Sequence, residues 1–180
     1  MKKTILNVLL MAAIMTIASC SNEPIVIPYG LGDVSLCLPA NPNFGPYQVQ
    51  TYTVVQADVI DKLEEFGVSY SPDRIENAKL DKAEIAVTSA GLSLDEISSA
   101  ELYIREVGQT ADGEQVAYSG SIPAGAQSVT LNLNGLDLKP YITKSQFELV
   151  LKVLNKDKVG GTPAICVKLT NSLIKIEAKK

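Results

Sequence analysis

Short runs that alternate apolar and polar residues, most of them closed by glycine, proline, asparagine or aspartate, limit what this chain can fold into more than any other feature. Val34-Ser35-Leu36-Cys37-Leu38 alternates without a fault, and a period of two places successive side chains on opposite faces of a strand. From Gln48 to Val55 the same pattern sets Val49, Thr51, Thr53 and Val55 on one side against Gln50, Tyr52 and Val54 on the other. Threonine, valine and tyrosine suit such a pleated, half-buried setting. Further strands are expected at about Ala78–Ser89, Ala100–Val107, Gln115–Ser119, Val129–Leu133 and Phe147–Val153, where Val150 interrupts the alternation and implies burial on both faces. The last two, Ile165–Leu169 and Ile174–Ile176, are separated by a break at Thr170-Asn171-Ser172. Asp112-Gly113 supplies turn chemistry for a hairpin between the strands on either side of it.

One segment changes period. Val59, Ile60, Leu63 and Phe66 form a helical stripe flanked by Asp61, Lys62, Glu64 and Glu65, and Gly67 is placed to end the helix. So short a helix needs a sheet to pack on. Leu92–Glu96 reads as a loop with at most one helical turn, and Leu138–Ile142 as another, since Pro140 is accommodated near a helix start. Seven to nine short strands and one helix predict an all-β chain folded as a two-layer β-sandwich, with a barrel as the rival because periodicity does not reveal closure. A Rossmann-like fold would need repeated strand-helix alternation.

The chain starts with Lys2 and Lys3, continues through an apolar run from Ile5 to Ala18, and turns polar at Ser21-Asn22-Glu23. That is the order of parts in a secretory signal, and the apolar run is too short for an ordinary membrane-spanning helix. Ile17-Ala18-Ser19-Cys20 resembles the lipobox of bacterial lipoproteins. The resemblance implies cleavage before Cys20 and acylation of that cysteine, which makes membrane lipid the first expected partner. The expected organisation is therefore a signal peptide over 1–19, a lipidated N-terminus and tether over 20–33, in which Ile25-Val26-Ile27 could pair briefly as a loose sheet edge, and a β-domain over 34–178. Ser21, in a position where aspartate favours inner-membrane retention in familiar Gram-negative lipoproteins, leans toward the outer membrane. Several acyl chains anchor firmly where one holds only marginally.

Without its first 19 residues the chain of 180 keeps 161, enough for a sizeable core, with 14 basic against 20 acidic side chains and a net charge of −6. No basic cluster with interleaved aromatics occurs, so nucleic acid is not an expected partner. With Cys20 assigned to lipid, Cys37 and Cys166 lie in apparent strands near opposite ends of the chain. In an exported protein they are candidates for a disulfide stapling the terminal strands, the alternative being two small buried hydrophobes.

The lipobox, the length and the β-rich region resemble small lipoproteins of the Bacteroides group, some with immunoglobulin-like folds. Ile97 to Ala178 carries the closer similarity, through ISSAELYI, the Ser119-Gly120-Ser121-Ile122-Pro123 turn and SVTLNLNGLDLKPYI. What this implies is a single immunoglobulin-like β-sandwich with a short inserted helix, living in the periplasm or on the cell surface; which way it faces stays open.

The chain has no histidine, which removes His-containing triads and HExxH zinc sites. Two thiols without histidine are a poor zinc set and a poor nucleophile, so no metal, cofactor or catalytic residue is expected. Asp58, Asp61, Glu64 and Glu65 read as a solvated helix face rather than a hydrolase pair. Asp112, Gly113 and Glu114 lack the spacing of an EF-hand and are accounted for by the turn. Tyr103 and Tyr118 flank the hairpin, where exposed rings would offer a protein or carbohydrate an apolar face with a polar edge, or else pack at the sheet margin. The expected function is a lipid-anchored, non-enzymatic envelope protein engaged in adhesion or assembly through an envelope protein or glycan. The alternative is a carrier of a small apolar or carbohydrate ligand, which needs an enclosed cavity.

Overall fold

A computed structural model describes residues 23–32, 34–38, 48–156 and 164–180. Two antiparallel sheets pack face to face. In the first, β1 (Ile25–Gly30) and β2 (Val34–Leu38) lie end to end along one side of β10 (Ile165–Ala178). On the other side of β10 comes β4 (Ile75–Val87), then β7 (Ser128–Thr130) at the edge. The second sheet runs β3 (Gln48–Val55), β9 (Gln146–Asn155), β5 (Ile97–Glu106), β6 (Glu114–Tyr118) and β8 (Asn132–Leu133). Among the described residues strand pairing stays within each sheet, so the layers are two packed sheets.

The alternation in the sequence becomes the division between core and surface. Ile27, Leu36, Ile85, Val167, Ile174 and Ile176 point inward from the first sheet and are buried. They meet Leu102, Ile104, Phe147, Leu149 and Leu151 from the second. Each such side chain contributes roughly 1.5–3 kcal/mol relative to exposure. The chain changes layer at Leu131, between β7 and β8. Its N–H still donates to Ala83 O of β4 (2.9 Å), while Asn132 and Leu133 already pair with β6. The single strand expected over Val129–Leu133 is therefore split between the sheets.

Two other expectations change. Residues 25–30, expected in a tether or loose edge where Ile25-Val26-Ile27 could pair briefly, form a strand paired through all six residues, so the sheet begins ahead of Val34. Pro28 is tolerated because β1 is an edge, where one side of the backbone needs no ladder bond. The break expected at Thr170-Asn171-Ser172 does not end the strand. Asn171 takes φ 48°, the register against β4 skips between Thr170 and Leu173, and β10 continues to Ala178. Asparagine is one of the few non-glycine residues that visits this left-handed region readily.

The helix α1 (Gln56–Glu65) buries Val59 and Leu63 and leaves the opposite face in solvent. Gly67 (φ 74°) ends it in a Schellman motif: Gly67 N–H donates to Glu64 O (2.8 Å) and Val68 N–H to Leu63 O (3.0 Å). Val68 and Leu63 are both buried, the apolar contact that accompanies this cap. One further helical turn, α2 (Lys139–Ile142), buries Ile142.

Candidate recognition face

The outer face of the second sheet gathers the polar side chains that the core excludes. β5 sends Glu101, Tyr103 and Arg105 outward, and β9 sends Glu148, Val150 and Lys152. Because the strands are antiparallel, the order acid-to-base on each sets Arg105 opposite Glu148 and Glu101 opposite Lys152, with Tyr103 opposite Val150 between them. Arg105 Nε donates to Glu148 Oε2 at 2.7 Å, with both side chains largely covered. Such charge-assisted bonds are stronger than neutral ones.

The connection between β5 and β6 does not extend away as a simple hairpin tip. It curls back over this face: Arg105 Nη1 donates to Ala111 O (3.0 Å), and Lys152 Nζ to Asp112 Oδ2 (2.7 Å). Gly113 (φ 92°) makes the turn possible, since a Cβ there would collide with Ile104 O and Arg105 Cβ. Lys152 Nζ also sits 5.3 Å from the centre of the Tyr103 ring. The Tyr103 hydroxyl donates to Glu101 Oε2 at 2.7 Å. Burial, and then this bond to a carboxylate, push its pKa up from 10.0 to about 12. The phenol is thus held as a donor.

Tyr118 stands opposite Glu101, and Tyr103 opposite Gln115, with a bulge between these pairs. The two tyrosines share the outer face without facing each other. Tyr103 is enclosed by its polar neighbours, whereas Tyr118 keeps 41 % of its surface exposed at the rim. Arg105, Glu148 and Lys152 are the residues at this face that strand-by-strand reading passes over. Their signal was present as charges four positions apart on the polar side of two strands, and it becomes an interaction only when the register is known.

Cys37 and Cys166 are directly opposite in the β2–β10 ladder and form a disulfide (S–S 2.03 Å, Cα–Cα 4.0 Å). Cys166 N–H donates to Ser89 Oγ and its carbonyl accepts from Thr88 N–H, each at 2.8 Å. Both groups therefore turn toward the β4 side, and the pair with Cys37 is the non-hydrogen-bonded type in which antiparallel side chains come closest. The bridge lies on the outer face, with Cys37 exposed. Cys20 and the whole of residues 1–22 lie outside the described residues.

The remaining candidates are not brought together. Asp58, Asp61, Glu64 and Glu65 are all exposed on α1, and Glu65 is paired with Lys62 (2.7 Å). A shallow, open depression lined by Glu106, Val107, Lys144, Ser145 and Gln146 is predominantly polar. Among the described residues no three potential metal ligands converge.

The fold and this face define an all-β domain of two packed antiparallel sheets with one short helix. No family model matches the chain, and no curated protein matches it. A solved structure described as Desmodium yellow mottle tymovirus is similar at 12 % identity over 89 % of this chain and 91 % of that one, with a TM-score of 0.31. A likeness that low carries no argument about fold or function.

Proposed function

We propose that this protein is exported, acylated at Cys20 and held at the outer membrane as a non-enzymatic adhesion or assembly domain. The observation that carries the reading is the Cys37–Cys166 disulfide on an accessible sheet face. Such bonds persist in oxidising, extracytoplasmic compartments and are rare in the cytosol. The signal-like start and Ile17-Ala18-Ser19-Cys20 agree with that compartment. β1 begins at Ile25, so the span from Cys20 covers at most about 18 Å of extended chain, and the domain stands close to its anchor. Within this reading the domain belongs with immunoglobulin-like sandwiches in the broad sense, supported by the chain's change of layer at Leu131. Its strand order, with the C-terminal strand central, departs from the seven-strand constant-type arrangement.

The contact surface in this proposal is the outer face of the second sheet, with Tyr118 as its exposed ring and the Arg105–Glu148 pair fixing the ground beneath. A protein or glycan partner fits that mixture of aromatic edge and satisfied polar groups. The carrier alternative draws no support from the polar depression beside Glu106. The test is metabolic labelling with a fatty acid: the native chain takes up label, and Cys20→Ala takes up none while its domain still folds. Equal labelling of the variant would refute the anchor.

A further inference from the structure

We propose that β3 is a self-pairing edge, joining β3 of a second copy to make one continuous sheet across two molecules. Exposed sheet edges present unpaired N–H and C=O groups, and folded proteins blunt them with charge, proline, bulges or brevity. The other edges have such devices. β7 has three residues and β8 two. The β1/β2 edge contains Pro28 and is interrupted between Gly30 and Val34. The residues of β3 itself have none of them: QVQTYTVV is eight residues without a charge or a proline, paired to β9 through all eight positions without a register shift. Its Thr51 carbonyl accepts from the exposed Gln50 side chain (Nε2, 3.1 Å), which a partner strand would displace.

Its side chains also identify the occupant. Opposite Lys152, Val150, Glu148 and Gln146 of β9 stand Val49, Thr51, Thr53 and Val55, which places those four on the outer face. Read along the strand they are Val-Thr-Thr-Val, symmetric about Tyr52. A two-fold axis perpendicular to the sheet at Tyr52 sets Val49 opposite Val55 of the second copy and Thr51 opposite Thr53, and preserves the face of every side chain. Val49 and Val55 are 47 % and 38 % exposed, among the most exposed large apolar side chains described. This register covers each valine with the other. Apolar and threonine cross-strand pairs are the units that stabilise a ladder, and the isologous contact closes on itself as a dimer.

The experiment measures the mass of the full chain in detergent by sedimentation and maps the register by cysteine cross-linking. The native chain is expected to sediment as a dimer across the micromolar range. Thr53→Lys, a charge on the edge, is expected to halve that mass while the far-UV circular dichroism of the folded chain is unchanged, its thermal midpoint falling to one that no longer depends on concentration. The double variant Val49→Cys/Val55→Cys is expected to form a covalent dimer on mild oxidation. Val49→Cys alone should not, because its two copies would lie about 20 Å apart along the ladder. A monomer throughout that range would overturn the proposal, as would a dimer that survives Thr53→Lys in the folded state. Cross-linking of Val49→Cys alone would overturn the register and with it the symmetric contact. Should Thr53→Lys fail to fold, the cross-linking pair decides alone.

Discussion

At Gly113 the backbone takes φ 92° and closes the turn that lays Ala111 and Asp112 over Arg105 and Lys152. Alanine there meets both the left-handed conformation and the Ile104 carbonyl, so Gly113→Ala should cost about 1–3 kcal/mol. Urea unfolding of the two proteins measures it; an equal midpoint would show that the loop is not held as described. Tyr103 gives a prediction in alkali. Its folded pKa is raised above the unfolded value, so the native state holds the phenolic proton more tightly. The resulting stability is full below pH 10.0 and is lost as pH rises toward about 12. Tyr29, buried against the helix, titrates in the same window, so the informative quantity is a difference. Stability should fall less steeply across that interval in Tyr103→Phe than in the native chain. Asp112-Gly113 was legible as a turn because its chemistry is local, but the partners of Arg105 and Lys152 were not, because they come from another strand.

Among the elements, β2 and β3 were readable to the residue because alternation marks the extent of a strand, but in β3 it did not say that Val54 would be buried and Val49 and Val55 exposed. β1 was readable only in part: Ile25-Val26-Ile27 could pair briefly, but Pro24, Pro28, Gly30 and Gly32 punctuate the stretch as they would a tether, and pairing with Leu173–Ala178 is what extends it to Gly30. β10 read as two strands because Asn171 interrupts the pattern, yet the long strand β4 runs beside both halves and keeps it whole. The disulfide acts at this scale, since it ties the short edge strand β2 to that central one across a sequence separation of 129. Closing so long a loop restricts the unfolded chain strongly, and reduction should cost about 2–5 kcal/mol. Denaturant melts with and without reductant measure it. Cys37→Ala/Cys166→Ala should melt like the reduced protein and be indifferent to reductant.

For the whole molecule the decisive position is Leu131, where the chain leaves one sheet for the other with its side chain in the core between them. Leu131→Ala should cost about 2–5 kcal/mol by transfer and cavity terms, with both sheets lost in one cooperative transition. Calorimetry would check this; separate transitions for the two sheets would contradict a shared core. Period-two alternation determined by itself that the chain is all-β and how each strand's side chains divide between two faces, because strand geometry sends neighbours to opposite faces whatever their partners. The helical stripe of α1 and its stop at Gly67 were equally local. Beyond the β5–β6 hairpin, tertiary structure alone decided which strands pair, where the chain changes layer, and that Arg105 meets Glu148 while Cys37 meets Cys166. Those depend on register between segments distant in sequence. An isolated strand carries its own faces but no record of which neighbour it will stand beside.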